Sequence, residues 1–438
     1  MGKSTIIYVI GLCLIIGIAL SNINNSSLHS MDTYSTYFGR TMAHNIAVSA
    51  ANVGSNYVMF NSTYATDFSG TFEGGHYDVI YSDSGLAHSY TKFMTVASRY
   101  NSGGDVQQDT VRAVFQRVIF SRYGWFTEQE RNGYVGPGGT KGPYYGASDW
   151  KITGDSVFGY AHTNSKFNLA GRPYFDKKVT ATNSPTLMTM GGVQDPFYNE
   201  GYEWGVSVSR DTANISILKS VANQGSSFAP LMQNDDVGLE FNSDGTARLR
   251  IPYNSGSTID TTVPLGALSA SNVIGVNAGD LHIKGTYKGE TTVVAFKGTG
   301  STADKGNVWI DGDVVASDNP RFNSSSDDML GIVSERMAYI TKDASRNSST
   351  VLNIQAAIYC HDGEFTAQDF WTIPISGRVN LYGSITQQTA GSLGLFSSGS
   401  GLLNGFFYSI RHDPRFLKKG PPQFPFSSKF RLVAWWEN

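Results

Sequence analysis

The side chains of this sequence that best suit chemistry are two histidines in polar surroundings. His162 precedes Thr163-Asn164, and His412 stands beside Asp413. A zinc site needs three or four ligands brought together, and neither histidine has a second ligand at helical or hairpin spacing. We therefore expect both histidines to be hydrogen-bonded turn or core residues.

A pair of aspartates could also serve a site. Asp311 and Asp313 stand two residues apart, so on a strand they share one face, as an acid–base or calcium pair would. Solvated aspartates in a polar turn are the simpler interpretation. Calcium held by this pair with Asp318, Asp327 and Asp328 is the alternative, although no EF-hand spacing is present.

The sequence carries none of the common catalytic signatures. It lacks G-x-S-x-G, H-E-x-x-H, C-x-x-C and the phosphate-loop pattern G-x-x-x-x-G-K. We therefore assign no catalytic residue, no metal ligand and no cofactor-binding residue, and we expect a protein that is not an enzyme and needs no cofactor.

Composition narrows the function classes further. The formal net charge is −3 and only 16% of residues are charged, so the electrostatic footprint of a nucleic-acid-binding protein is absent. The 48 glycines, 23 tyrosines and 25 phenylalanines are typical of a turn-rich β protein. The two cysteines are Cys13 and Cys360, which predicts no intrachain disulfide framework.

The element that must position everything else is the uncharged stretch Ser4–Ser21, which is just long enough to span a bilayer as a helix. Lys3 is expected to stay cytoplasmic and the body to lie outside the cytoplasm. A cleaved signal peptide ending near Ala19-Leu20-Ser21 is the alternative, and it places the body on the same side. The side chains assigned to the membrane anchor are Ile6, Ile10, Leu12, Leu14, Ile16 and Leu20.

A second apolar pattern follows from Arg40. Met42, Ile46, Val53 and Tyr57 recur at helical spacing and predict an amphipathic helix. This helix either continues the anchor as one unbroken helix or packs separately on the body. Small residues on it form a candidate interface with a neighbouring helix: Ala43, Ala47, Ala50 and Ala51.

The next segment predicts mixed structure. The alternation in Phe68–Tyr81 predicts a hairpin that turns at Gly74-Gly75. The pattern in Asp109–Tyr123 predicts a helix with Asp109 as its N-cap. The glycine-rich loop Gly133–Gly146 marks a boundary. A short helix is also expected from Ser326 to Val333.

Beyond Trp150 the pattern is one of short strands between glycine or asparagine turns. Four stretches share an alternating phrase that ends in glycine, and stacked copies of such a phrase predict a β-solenoid, with a β-sandwich as the alternative. The copies are Phe167–Gly171, Leu281–Gly285, Val308–Gly312 and Val379–Gly383. The predicted strands are Ser156–Ala161, Lys166–Leu169, Val206–Val208, Asn214–Leu218, Arg248–Pro252, Leu281–Tyr287, Asn307–Val315, Val351–Tyr359, Arg378–Ile385 and Phe406–Ile410.

The fold class expected is therefore α+β and β-dominated, with an N-terminal membrane helix followed by a mainly β region. The division expected is an anchor or signal at 1–21, an amphipathic helix at 22–60, a mixed α/β lead-in at 61–145, a β-rich body at 146–415 and a proline- and aromatic-rich C-terminal wrap at 416–438.

Several short motifs, taken in order, resemble an uncharacterised bacterial family of PilX-like pilus-assembly proteins. They include the apolar N-terminus and Ala/Ser-rich helix, followed by Trp125–Glu130, Gly159–Asn164, Gly171–Phe175, Asp328–Val333, Tyr382–Ile385, Asp413–Phe416 and Pro421-Pro422. The resemblance implies a minor pilin or pseudopilin-like surface protein with a β-rich head, linked to a type IV pilus or type II secretion apparatus. It implies other pilin-like subunits as partners, and it supplies no catalytic residues.

One departure from the pilin pattern concerns the processing site. Cleavage after Gly2 would make Lys3 the first mature residue and place Tyr8 five residues beyond it, whereas major pilins carry a glutamate at the fifth position of the mature chain, which here is Ile7. An accessory or tip position suits this better than a place in a filament shaft. A carbohydrate-active or carbohydrate-binding β-solenoid, or an adhesin at the cell surface, is the alternative function, although no motif supports glycan binding.

Overall fold

The computed structural model describes residues 2–60, 65–83, 91–210, 215–253, 256–342, 351–375 and 377–437. The chain divides into two compact units. Unit 1 comprises residues 1–117 and 429–438, and unit 2 comprises residues 118–428. Unit 2 is thus inserted in the chain of unit 1. The finer division expected from the sequence stays a prediction.

Unit 1 is built on one unbroken helix, α1 (Gly2–Phe60), of 59 residues. This settles the choice between a continuous helix and a separate packing helix in favour of the former. Its strands are β1 (Phe68–Phe72), β2 (Gly75–Asp83), β3 (Thr91–Ser102) and β4 (Asp105–Ile119). They form consecutive antiparallel pairs, and the β1–β2 pair confirms the predicted hairpin around Gly74.

The predicted helix at Asp109–Tyr123 is wrong, because most of that segment belongs to β4. Val111, Ala113 and Phe115 are buried at every second position, which is the period of a strand. The turn at Gly103-Gly104 joins β4 back to β3, since both glycines adopt a positive φ that suits a tight turn. The β-branched residues of this stretch fit the resulting sheet.

Unit 2 consists mainly of short strands. Its first strands are β5 (Trp125–Gln129), β6 (Lys151–Ile152), β7 (Ser156–Phe158), β8 (Ala161–Thr163), β9 (Asn168–Ala170), β10 (Tyr174–Phe175), β11 (Val179–Ala181), β12 (Thr186–Met188), β13 (Phe197–Tyr198) and β14 (Tyr202–Trp204). After α2 (Ile215–Val221) come β15 (Val237–Phe241), β16 (Thr246–Ile251), β17 (Ile259–Pro264), α3 (Leu265–Leu268), β18 (Val273–Asn277), β19 (Leu281–Tyr287), β20 (Glu290–Phe296) and β21 (Val308–Ala316).

The rest of unit 2 continues the same pattern. Its strands are β22 (Met329–Ser334), β23 (Ala338–Ile340), β24 (Leu352–Cys360), β25 (Phe365–Ala367), β26 (Arg378–Thr389), β27 (Gly394–Ser397), β28 (Gly401–Gly405) and β29 (Phe407–His412). The last strand, β30 (Phe426–Glu437), lies beside β4 and completes the order β1-β2-β3-β4-β30. In the chain, the residues of unit 2 therefore follow β4 and precede β30, which are neighbouring strands of one sheet.

Most strands of unit 2 pair in parallel with a strand further along the chain. Ala161 on β8 is opposite Val179 on β11, which in turn is opposite Tyr202 on β14. Leu281 and Ile283 on β19 lie opposite Val308 and Ile310 on β21, so two copies of the repeated phrase stack in register. Parallel ladders of this kind are what stacked repeats require. The solenoid, with the sandwich as its alternative, stays a prediction.

Three local predictions in unit 2 are wrong. Ser326–Val333 contains no helix: Met329–Ser334 form β22, and the Asp328 carboxylate accepts backbone N–H groups of loop residues. The predicted strand Asn214–Leu218 begins at a residue outside the described ranges, and its remainder belongs to the helix Ile215–Val221, whose apolar residues recur at every third position around the buried Leu218. Val206–Val208 is not a strand, since Asn164 Oδ1 accepts the N–H of Val208 at 2.9 Å.

The core of unit 2 confirms the β-dominated class. Inward side chains from successive strands form one continuous apolar cluster that includes Val237, Ile283, Ile310, Ile354 and Leu381. One long N-terminal helix followed by a strand-rich chain is the α+β arrangement that the sequence predicted.

Candidate functional site

The first part of α1, residues 2–34, is exposed apart from the half-buried Gly11, and it includes the apolar run Ser4–Ser21. A window of this helix has a mean hydropathy of 2.5 and no buried residues, so by length and composition the helix can cross a membrane. The six side chains assigned to the anchor are between 48% and 62% exposed: Ile6, Ile10, Leu12, Leu14, Ile16 and Leu20. Such a surface is stable only against lipid or other apolar helices.

The second part of α1 packs on the sheet of unit 1. Ala43, Ala47 and Ala51 are fully buried and Ala50 is 4% exposed, with the side chains of β2, β3 and β4 packed against this stretch of the helix. Their small size allows a close approach, as predicted, but here the approach is to the chain's own sheet. Packing within unit 1 accounts for their burial, and their role as an interface with another subunit stays a prediction.

Polar contacts fasten the same part of the helix. Ser98 Oγ donates to the carbonyl oxygen of Ala43 at 2.6 Å, and the Tyr81 hydroxyl donates to that of Gly54 at 2.9 Å. A Cβ atom at Gly54 would lie 2.7 Å from Met94 Sδ, so glycine is the residue that permits this approach. The helix is therefore fixed to β2 and β3 by both shape and hydrogen bonds.

The two histidines singled out in the sequence are structural. His162 is fully buried, and its ring nitrogens lie 2.7 Å from Thr180 Oγ1 and 3.0 Å from Asn164 Oδ1. His412 Nε2 lies 2.9 Å from the carbonyl oxygen of Ser121. Burial lowers the pKa of both imidazoles, so both favour the neutral form.

The aspartates of β21 point to different partners. Asp311 accepts a hydrogen bond from the Tyr253 hydroxyl at 2.8 Å and lies 3.1 Å from His282 Nδ1. Asp313 accepts the backbone N–H of Asn353 at 3.0 Å. Within the described ranges, no group of three or more histidine, cysteine, aspartate or glutamate side chains is arranged to hold a metal ion. The calcium alternative therefore has no assembled ligand set there.

Sequence reasoning missed a buried charged cluster in unit 2. Lys151 is 1% exposed and donates a short hydrogen bond to the Asp149 carboxylate. Its ammonium lies 3.9 Å from the ring centroid of Trp125 and 4.9 Å from that of Tyr408. Burial alone would lower the pKa of Lys151, but attraction to Asp149 and Glu130 outweighs it and raises the pKa. The ammonium therefore stays charged within an aromatic cage.

The carboxyl groups around this lysine behave differently. Burial raises the pKa of Glu130 and raises that of Glu364 well above its ordinary value. Burial also raises the pKa of Asp155 to about 6, although backbone N–H groups of Ile152 and Tyr408 donate to it. The signal available in the sequence was Asp149 two residues before Lys151, the first residue of the short strand β6. Hydrogen bonds and cation–π contacts of the cluster join β5, β6 and β29, although Glu130 Oε2 and Glu364 Oε1 are buried without a hydrogen-bond partner among the described residues.

Unit 2 has a groove on the outer face of the parallel sheet, which we call the outer groove. It consists of two adjoining cavities of about 550 and 420 Å³. Both are lined by Arg321, Tyr382 and Arg411. Arg411 lies opposite Tyr382 on the neighbouring strand, and Arg321 comes from the loop that follows β21.

The floor of the outer groove is a row of side chains in register. Asn353 on β24 is opposite Asn380 on β26, which is opposite Ser409 on β29. Beyond the two cavities, the same register continues through Ser156 on β7 to Tyr174 on β10. No local sequence pattern indicates this row, because its members come from distant segments that only strand register aligns.

Comparisons with known proteins leave the family open. No family model matches the sequence, and no curated protein matches it. Among solved structures, the crystal structure of the competence-associated pilin ComZ from Thermus thermophilus aligns with 92% of this chain and 97% of its own chain, at 11% sequence identity and a TM-score of 0.33. A likeness this distant assigns neither a fold nor a family to the chain.

Proposed function

We propose that this chain is a pilin-like surface subunit, anchored by the first part of α1 and carrying unit 2 as an exported body. The observation that carries the proposal is α1 itself. One unbroken helix is exposed and apolar over its first part, and fixed to an antiparallel sheet of the same unit over its second part. A helix of this kind can lie in a membrane or among equivalent helices while its own sheet holds the remainder of unit 1.

The orientation follows from the charges beside the apolar segment. Lys3 precedes it, and the first charge after it is Asp32. The positive-inside preference then places the N-terminus in the cytoplasm and the body outside it. An accessory or tip position fits better than a shaft position. The exposed Tyr8 lies near the place where major pilins carry a glutamate, and it has no carboxylate.

The test uses the full chain in a host that assembles pili. Leu14→Arg together with Ile18→Arg places two charges in the apolar segment, and Ser26→Arg with Ser30→Arg is the matched control on an exposed polar turn of the same helix. We expect the first variant to leave the membrane fraction and to lose co-purification with pilus components, and the control to retain both.

Mass spectrometry of the mature N-terminus separates the proposal from a cleaved signal peptide. Recovery of peptides covering Ser4–Leu20 from the membrane-bound protein supports the anchor. A mature protein that begins near residue 22 and is released as a soluble species would overturn the proposal.

A further inference from the structure

The outer groove has the composition of a ligand-binding surface rather than of a solvated sheet face. At one end of the floor, the amide side chains of Asn353 and Asn380 are hydrogen-bonded to each other at 3.3 Å. Phe197 on β13 is opposite Tyr174 and extends the row beyond the two cavities, and the rings of these two residues stack with centroids 5.4 Å apart. Since neighbouring strands are about 4.8 Å apart, the row from Asn353 to Phe197 covers about 24 Å.

The middle of the outer groove is positively charged. Arg411 lies over the ring of Phe158 at 4.4 Å, and Arg321 projects from an exposed loop. Among the residues that the structure describes, neither guanidinium has a carboxylate oxygen within 4.0 Å. The larger cavity is lined by both arginines and by no acidic side chain, whereas the smaller cavity is lined by both arginines, Lys177 and one carboxylate, Asp176. Two uncompensated guanidinium groups, each able to bind a carboxylate in a bidentate manner, thus face one cavity.

An exposed aromatic side chain, Phe322, also lines the larger cavity. Phe322 follows Arg321 in the loop and is 83% exposed. The Arg321 guanidinium lies 5.8 Å from the centroid of this ring, and the ring lines the larger cavity, where it offers an apolar face to a ligand. Tyr382 supplies a second ring on the groove floor, where it is half-buried.

These groups suit one class of ligand. Amide and hydroxyl side chains bind hydroxyl groups, aromatic faces bind the apolar faces of sugar rings, and guanidinium groups bind carboxylates. Duplex nucleic acid requires many more cations, and the whole chain has a net charge of −3. A peptide adding as a strand requires an open sheet edge, whereas this floor is a sheet face.

We propose that the outer groove binds an acidic polysaccharide, a hydroxyl-rich chain that carries carboxylates, with Arg321 and Arg411 on a carboxylate and the row from Asn353 to Phe197 along the chain. The site lies wholly within unit 2 and involves no residue of α1. Its failure is therefore distinguishable from failure of the proposed pilin-like function.

The experiment measures binding of the full chain in detergent to polygalacturonate, to uncharged dextran and to duplex DNA by titration calorimetry. We expect binding to polygalacturonate alone, weakened by added salt. Arg321→Met with Arg411→Met is expected to weaken it at least tenfold, whereas Arg172→Met, an exposed arginine outside the groove, leaves it unchanged. If the double variant melts at a lower temperature, binding is measured with Arg321→Met alone. Arg321 lies on an exposed loop, so its replacement should not destabilise the fold.

Three results would overturn the proposal. They are an absence of binding to polygalacturonate, binding that is equal for dextran, and binding that survives both arginine substitutions. Preferential binding to DNA would also overturn it, because the groove would then serve a different class of polymer.

Discussion

Lys151 and Trp125 form a buried cation–π pair, with the ammonium 3.9 Å from the ring centroid and both side chains at most 1% exposed. The charge is retained because Asp149 and Glu130 surround it with carboxyl groups. Trp125 belongs to β5 and Lys151 to β6, so the pair joins two strands that are separated by the glycine-rich loop. A buried charge destabilises the fold when its partner is removed, so the stability of unit 2 depends on keeping both members of each ion pair.

Replacement of this lysine should therefore destabilise unit 2. Lys151→Met keeps the volume of the side chain but leaves the Asp149 carboxylate buried without its partner. Removal of one member of a buried ion pair costs about 3–5 kcal/mol. Denaturant unfolding of the full chain measures the loss, with Lys177→Met as the matched control. Lys177 pairs with Glu200 at the surface, and its loss should leave the midpoint unchanged. Equal midpoints for the two variants would contradict the buried charged cluster.

The stability of unit 2 should depend on the protonation of Asp155. Its pKa is raised from 3.8 to about 6, so the folded state holds this proton more tightly than the unfolded state. The contribution is fully present below the unfolded pKa and is lost as pH rises through about 6. One such group changes the free energy of unfolding by up to about 1.4 kcal/mol per pH unit.

The measurement compares the wild type with Asp155→Asn at several pH values between 4 and 8. Asparagine has no proton to lose at this position, so the variant should lack the pH dependence that Asp155 contributes while its amide still lies beside the backbone N–H groups of Ile152 and Tyr408. The advantage of the wild type should be largest near pH 4 and should shrink towards pH 7. An advantage that grows with pH would show that the Asp155 pKa is lowered instead.

The packing of α1 predicts the outcome of enlarging its alanines. Ala47→Leu with Ala51→Leu inserts two larger side chains against β2 and β3, where both alanines are fully buried. Overpacking of this kind costs about 1–3 kcal/mol at each site. Circular dichroism during thermal unfolding of the full chain should show a less stable unit 1, whereas the exposed Ala19→Leu should have no effect. Normal stability with lost co-purification of pilus components would instead support a role in contacting another subunit.

Gly383 should be intolerant of any side chain. A Cβ atom there would lie 1.8 Å from the carbonyl oxygen of Ala356, where β24 and β26 pair. Gly383→Ala must therefore separate these strands, at a cost of about 1–3 kcal/mol. Gly399→Ala is the control, because a Cβ atom there meets nothing within 4 Å. Thermal melting of the two variants gives the comparison, and equal melting temperatures would contradict the close approach.

The sequence predicted the elements that depend on local pattern. The apolar run from Ser4 to Ser21 and the helical spacing after Arg40 both lie on α1, and the alternation of Leu281–Tyr287 gives the bounds of β19. Local pattern failed for β4, where apolar residues fit helical and strand spacing at once. Pairing with β3 decided that segment, because the sheet buries every second residue.

The sequence by itself determined a long apolar helix, a strand-rich remainder and the absence of the common catalytic motifs, since hydropathy and motif spacing are properties of neighbouring residues. Tertiary structure alone decided which surface the alanines of α1 meet, that Lys151 is caged by Trp125, and that Asn353, Asn380 and Ser409 form one row. These relationships join residues far apart in the chain. They exist only because strand register and close packing bring distant side chains together, and no local pattern records that register.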